Sequence, residues 1–327
     1  MKAKKPLLDA KDRRIIHELQ KNCRRPLGGI ARAVGVSKQA LHYRVNRLLS
    51  SGAIASFIPL VDFAKLGFVN HEAWLQLSSV SRKEKETLVD SFLSHPSVRL
   101  VAECSGKYDL LIGVLAKNTV EFDNILRGIV RKHPGLVKEC HFSISTAFTA
   151  YPKTHLVGSM ERKAEFSVSG EPGGAKIDAS EARLLSLLSL DARMPTVELA
   201  KKAGVSPATV RAKMKRLEKD GIIRGYSAFV SHQKLGYDNY EILATIRGMD
   251  DGKERELEEY CRSHPYSTYL IKCMGRWGVD VGFDAKGSAH FQEILSEFRD
   301  RFGSMIDDYE IVPISDWKKF TYYPFRL

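Results

Sequence analysis

No stretch of this 327-residue chain approaches the roughly 18 consecutive apolar residues of a membrane span. The lysine-rich start (Lys2, Lys4, Lys5) leads into no secretory apolar segment, so neither a membrane partner nor export is expected. Cysteine is scarce: Cys23, Cys104, Cys140, Cys261 and Cys273 are odd in number and form no C-x-x-C pair. That excludes a disulfide framework and implies reduced thiols in a cytoplasmic protein. Ten histidines show no metal-ligand spacing. No nucleophile–base set and no phosphate-cradling glycine loop stands out, so no catalytic residue, metal or cofactor is expected. His95 and His264, each before a proline, read as helix-end residues.

What the chain does have is a repeat. Asp9-Ala10-Lys11-Asp12-Arg13-Arg14 returns as Asp178-Ala179-Ser180-Glu181-Ala182-Arg183, an offset of 169. The same offset carries Gly35-Val36-Ser37 onto Gly204-Val205-Ser206, His95-Pro96 onto His264-Pro265, and Cys104 onto Cys273. Near the end it grows to 172, taking Phe148-Thr149 onto Phe320-Thr321. Two copies of one unit make up nearly the whole chain.

Negative charge is short in the front of each copy. Residues 1–68 hold 14 Lys/Arg against 4 Asp/Glu, a net +10, and residues 176–236 hold 12 against 6, a net +6. The back pieces are nearly neutral or acidic, at +1 for 69–175 and −5 for 237–327. Paired basic pieces of this size point to a polyanion, double-stranded DNA first.

Helical spacing reads three helices in each front piece. Ile15, Ile16 and Leu19 lie on the first, Leu27, Ile30 and Val34 on the second, and Leu41, Val45 and Leu48 on the third. Ile30-Ala31-x-x-x-Gly35-Val36-Ser37 is a helix-turn-helix pattern: a small residue for close approach, a glycine for the turn, a serine to cap the entering helix. Leu199-Ala200-x-x-x-Gly204-Val205-Ser206 repeats it, and a strand follows each block. With the apolar face inward, about 100° per residue puts Gln39, His42, Tyr43 and Asn46 outward. Ser37, Lys38, Arg44 and Arg47 join them as expected DNA-binding residues. In copy two that set is Ser206, Ala208, Thr209, Arg211, Lys213, Lys215 and Arg216. Gln and Asn suit adenine whereas Arg suits guanine, so unlike half-sites are expected.

Each back piece alternates as β-α-β-β-α-β. In copy one the expected elements are 71–77, 81–94, 98–104, 110–115, 120–132 and 137–148. In copy two they are 241–247, 252–263, 267–273, 279–283, 289–302 and 306–313. The expected fold class is therefore α+β. Winged helix-turn-helix domains at 1–68 and 176–236 are each followed by a ferredoxin-like domain, at 69–157 and 237–327. The polar stretch 158–175, with Gly170, Pro172, Gly173 and Gly174, reads as a flexible linker.

A basic helix-turn-helix opening Leu8-Asp9-x-x-Asp12, a Gly-Val-Ser turn, and a βαββαβ unit carrying His95-Pro96 and Gly106-Lys107-Tyr108-Asp109 resembles the Lrp/AsnC family of transcription regulators, twice over. The resemblance implies DNA binding through the front domains. It also implies back domains of the regulation-of-amino-acid-metabolism (RAM) type, which pair sheet to sheet, assemble into homo-oligomers and often bind an amino acid between subunits. The implied effector residues are Gly106, Lys107, Tyr108 and Asp109 in copy one and Gly275, Arg276, Trp277 and Asp280 in copy two. The second loop departs from the pattern, because its acidic residue comes two positions late. Siroheme decarboxylases share this two-domain fold and form the alternative. They carry an N-M-W-F-like strand after a histidine, where this chain has Tyr108-Asp109-Leu110-Leu111-Ile112-Gly113.

Overall fold

The Asp9 carboxylate accepts from the Asp12 N–H and Asp12 accepts from the Asp9 N–H, a reciprocal capping box that opens α1 (Ala10–Lys21). The structure, a computed structural model, describes residues 8–158, 166–248 and 250–325. After α1, α2 (Leu27–Val34) ends at Gly35, whose φ of 71° is left-handed and strained for any residue with a Cβ. Ser37 then caps α3 (Lys38–Ser50) through the Ala40 N–H. A wing strand β1 (Ile54–Val61) leads into the first RAM unit. This unit comprises β2 (Val69–Leu77), α4 (Arg82–Ser94), β3 (Val98–Cys104), β4 (Leu110–Ala116), α5 (Thr119–Val130) and the long β5 (Val137–Ala150).

The stretch expected as a linker is partly built. It holds β6 (Phe166–Ser169), which pairs with the end of β5. Beyond it, the Gly173 and Ala175 N–H groups donate to the Ala64 and Lys65 carbonyls. Extended residues beside an open strand end complete its ladder, an advantage that a polar, glycine-rich composition does not advertise.

Copy two follows with α6 (Ala179–Leu190), α7 (Thr196–Ala203), α8 (Pro207–Lys219) and the wing strand β7 (Ile223–Val230). A short α9 (His232–Leu235), which the sequence pattern did not suggest, precedes β8 (Asp238–Ile246). The unit closes with α10 (Asp251–Ser263), β9 (Ser267–Gly275), β10 (Val279–Ala285), α11 (Ser288–Phe302) and β11 (Ile306–Phe320). His95 and His264 sit at the C-caps of α4 and α10.

Each βαββαβ unit has the ferredoxin-like strand order, β5-β2-β4-β3 and β11-β8-β10-β9. The two sheets then join. β5 leaves β2 at residue 144 and continues along β9, while β11 leaves β8 at Ile314 and continues along β3. Eight strands are thereby linked into a continuous antiparallel ring, and β6 pairs with the last residues of β5 on the side away from β9. Alternation sorts the side chains. On β10, Val279, Val281 and Phe283 pack under the helices of their own unit, so Asp280, Gly282 and Asp284 point into the ring. Trp74, Leu100, Leu111, Leu243 and Val312 fill much of the inner space between the two units.

The heads are not separate bodies. β1 and β7 pair antiparallel, and one apolar core runs through both heads. Arg24 Nη1 donates to the carbonyls of Ala192 and Met194, and Arg193 Nη1 donates to the Cys23 carbonyl at 2.6 Å. Each of these guanidiniums also lies 5.3 Å from an aromatic ring of the opposite wing, Tyr226 and Phe57 respectively. This near-symmetric clasp fixes how the two recognition helices stand to each other.

Candidate nucleic-acid interface

Helix α3 buries Leu41, Val45 and Leu48 and leaves Lys38, Gln39, His42, Tyr43, Asn46 and Arg47 exposed. With Leu27 and Ser50, these six residues line one shallow depression along the helix. Tyr43 is 68% exposed, a large ring in water, and Asn46 Nδ2 lies 3.2 Å from His42 Nε2. On α8 the buried stripe is Val210, Met214 and Leu217, and Ala208, Arg211, Ala212, Lys215 and Arg216 are exposed. The Ser206 hydroxyl accepts from the Thr209 N–H, so Ser206 and Thr209 build the start of the helix.

Several cations expected at phosphates are already engaged. Arg44 Nη1 lies 2.8 Å from Asp9 and 2.7 Å from Asp12, and Arg47 also pairs with Asp12. The Asp12 side chain is 1% exposed, so it is an anionic post inside the head. Copy two repeats the arrangement: Lys213 pairs with Asp178, and Arg216 Nη1 lies 3.1 Å from Glu181. Lys213 and the neighbouring hydroxyl and amide donors hold the Asp178 carboxyl far below the usual carboxylate range. In both heads the box that caps the first helix thus also anchors the recognition helix. The repeat of Asp12 as Glu181 carries that information in the sequence, but only the tertiary fold brings the partners together.

The two loops expected around an effector do meet. Lys107 and Arg276 both pair with Glu310 of β11, and the Tyr108 hydroxyl donates to the same carboxylate at 2.7 Å. Burial works to raise the Glu310 carboxyl, but these three donors outweigh it and hold it below its ordinary value. Tyr108, Trp277, Trp74 and His141 form an aromatic cluster behind it, with ring centroids 5.7–6.2 Å apart. Asp109 turns away: its Oδ2 accepts from the Leu77 N–H at 2.8 Å. Gly106 and Gly275 form the turns, both with positive φ. Asp280 lies apart from the loop, 3% exposed on the inner face of the ring.

Sequence reasoning missed what surrounds Asp280. Glu72 and Glu241, equivalent positions of the two copies, both point inward, and Arg99 is buried with them. The carboxylates at 72, 241 and 280, each flanked by apolar residues of its strand, were the available signal.

Comparison with known proteins agrees with this geometry. An AsnC-type helix-turn-helix domain model matches residues 8–49, and a winged helix-turn-helix DNA-binding model matches residues 177–224. The HTH-type transcriptional regulator FL11 of Pyrococcus furiosus is 30% identical over 141 residues, which are 41% of this chain and 92% of FL11. The regulator LrpA of Pyrococcus abyssi is 42% identical over 122 residues, 37% of this chain and 84% of LrpA. The crystal structure of the siroheme decarboxylase NirDL superposes with a TM-score of 0.61 at 16% identity, over 97% of this chain and 94% of that one, a likeness of fold. With an AsnC-type head and a second winged helix-turn-helix head on paired βαββαβ units, and relatives matched over most of their length, the chain belongs to the Lrp/AsnC family of transcription regulators.

Proposed function

We propose that this regulator binds duplex DNA with two unlike recognition helices and reads a directional, non-palindromic site. The supporting observation is the pair of exposed faces. Gln39, His42, Tyr43 and Asn46 on α3 stand where α8 has Ala208, Arg211, Ala212 and Lys215, on heads clasped into one frame. An identical pair of helices would favour a symmetric operator. Here the first head favours A·T pairs, and Arg211 favours a guanine. Fluorescence anisotropy with a selected operator tests this. Arg211→Ala should cost about 1–3 kcal/mol and relax preference at one base pair only. A uniform loss over all sequences would assign Arg211 to phosphate instead.

Two finer parts of the reading carry their own tests. An amino-acid effector at the paired loops has to displace Glu310 from Lys107, Tyr108 and Arg276. Calorimetry with the common amino acids checks it: heat that disappears in Lys107→Ala supports the site, and no heat for any of them removes it. Self-association beyond one chain uses the outside of the ring, where Val120, Phe142 and Met274 are exposed, because the inner sheet faces already cover each other. A siroheme decarboxylase reading finds little support in the cavity beneath the wing strands. The cavity between the ring and the β1–β7 ribbon is about 150 Å³, and its lining carries Glu72, Glu241 and Asp280 beside Arg99, a poor match for a bulky polyanionic tetrapyrrole.

A further inference from the structure

Between the ring and the β1–β7 ribbon lies a cavity of about 150 Å³. Its floor carries Glu72, Arg99, Glu241, Thr268, Tyr269 and Asp280, each buried or nearly so, and its roof is wing strand and the end of α1. The charges do not balance. Arg99 reaches Glu72 through Asn70: Arg99 Nε donates to Asn70 Oδ1 at 2.7 Å, and Asn70 Nδ2 donates to Glu72 at 3.0 Å. Glu241 has one oxygen satisfied by the Tyr269 hydroxyl and the other without a partner. Asp280 has neither oxygen partnered. Two further buried groups on the lining, Arg99 Nη1 and Thr268 Oγ1, are also unpartnered. Lys21 and Lys153, at the rim, are held by Glu18 and Asp284.

Glu241 and Asp280 are close by construction. Asp280 faces Leu243 across the β8–β10 ladder, which makes Glu241 its diagonal neighbour on the same face. Gly282 belongs to the same arrangement: a Cβ there would fall 2.3 Å from the Tyr269 ring, so only glycine lets that ring lie flat and reach Glu241. Two neighbouring strands that place buried carboxylates side by side make a costly arrangement unless something compensates them.

We infer that this cavity is a binding site for a short aliphatic diamine, whose ammonium groups pair with Asp280 and Glu241. Burial, with repulsion from neighbouring carboxylates at Glu241 and Asp280, pushes the Glu72, Glu241 and Asp280 carboxyls up; when all three ionise against one guanidinium, two negative charges remain, which one organic dication neutralises. No group of three or more His, Cys, Asp and Glu side chains set to hold a metal ion occurs among the described residues. A void of about this size takes up benzene in another protein, and a short diamine has similar bulk. Tyr269 and Trp317 on the lining offer ring faces to the same cation. Because the roof includes residues of β1 and β7, the occupant touches the frame that carries both heads.

The test uses the full chain and 1,4-diaminobutane, with thermal unfolding as the readout. Wild type should gain melting temperature with increasing diamine. Asp280→Asn and Glu241→Gln should each melt higher than wild type without diamine, since a buried uncompensated carboxylate is gone, and neither should respond when diamine is added. Leucine and magnesium chloride at equal concentration should shift wild type far less. No diamine response in wild type overturns the proposal, as does an equal response in both variants. A response to leucine or magnesium as large as that to diamine overturns it too. DNA binding is not part of this readout, so the proposal stands or falls apart from the operator reading.

Discussion

Asp12 shows how much one buried side chain does in this protein. It closes the capping box with Asp9 and holds Arg44 and Arg47, so it fixes both the start of α1 and the tilt of α3. Asp12→Ala should lower unfolding free energy by about 2 kcal/mol, from a lost cap and two released guanidiniums. Urea denaturation measures it, and a loss under about 0.5 kcal/mol, the scale of an ordinary surface change, would mean the post is ornamental. The same geometry separates two classes of cation. Arg211 and Lys215 stand exposed on α8, so Lys215→Ala should flatten the salt dependence of DNA affinity by about one unit and leave stability unchanged. Arg44→Ala should instead act mainly through stability, because that side chain is already paired with two carboxylates. The outward faces were legible from helical spacing alone, since 100° per residue is local geometry. Which outward cations are tied down was not, because Asp12 lies more than thirty positions away from Arg44 in the chain.

At the scale of elements, the two copies diverge most where head two meets the ring. Asp284 of β10 is fully buried and pairs with Lys153 at 2.7 Å and with His232 of α9, and His155 Nε2 lies 3.2 Å away. Phe63 and Leu115 occupy the positions of His232 and Asp284 in copy one, so the first junction is apolar. Burial holds His232 below its ordinary value despite the neighbouring Asp284. The unfolded chain therefore takes up that proton first, and stability falls as pH drops through the ordinary histidine range near 6.5. Burial alone would raise the Asp284 carboxyl, but His232 and Lys153 outweigh it and hold it well below 3.8. Its contribution persists above that value and is lost only at more acid pH. Unfolding free energy should thus decline between pH 7 and 5, with His17 and His71, also lowered by burial, adding to the slope. His232→Phe should flatten part of that decline, and an unchanged slope would contradict this account of the junction. The strands and most helices were readable from alternation and capping residues. The alternation Val279-Asp280-Val281-Gly282-Phe283-Asp284 even told which face Asp280 takes, but resemblance drew it into the effector loop instead.

For the whole molecule, duplication puts two units of the family fold into one chain, paired through their sheets. The repeat was plain in the sequence, yet ring closure was not, because it depends on β5 and β11 each running on past its own sheet into the other. The sequence pattern ended the last strand at 313, whereas β5 and β11 run for 14 and 15 residues, against 7–9 for the other strands of the ring. Fusion fixes the ratio of the two heads and frees them to differ, which a homodimer cannot do. Sedimentation should report species larger than 36.8 kDa at micromolar concentration if the exposed outer residues Val120, Phe142 and Met274 support self-association. A single 36.8 kDa species that still binds DNA would confine the assembly to one chain. The central claim, that one frame presents two different readers, is tested most directly by selecting binding sites from random duplex DNA with the full chain. The account predicts a directional site with unlike halves, A·T-rich under α3 and containing a guanine under Arg211, whereas recovery of a symmetric palindrome would contradict it.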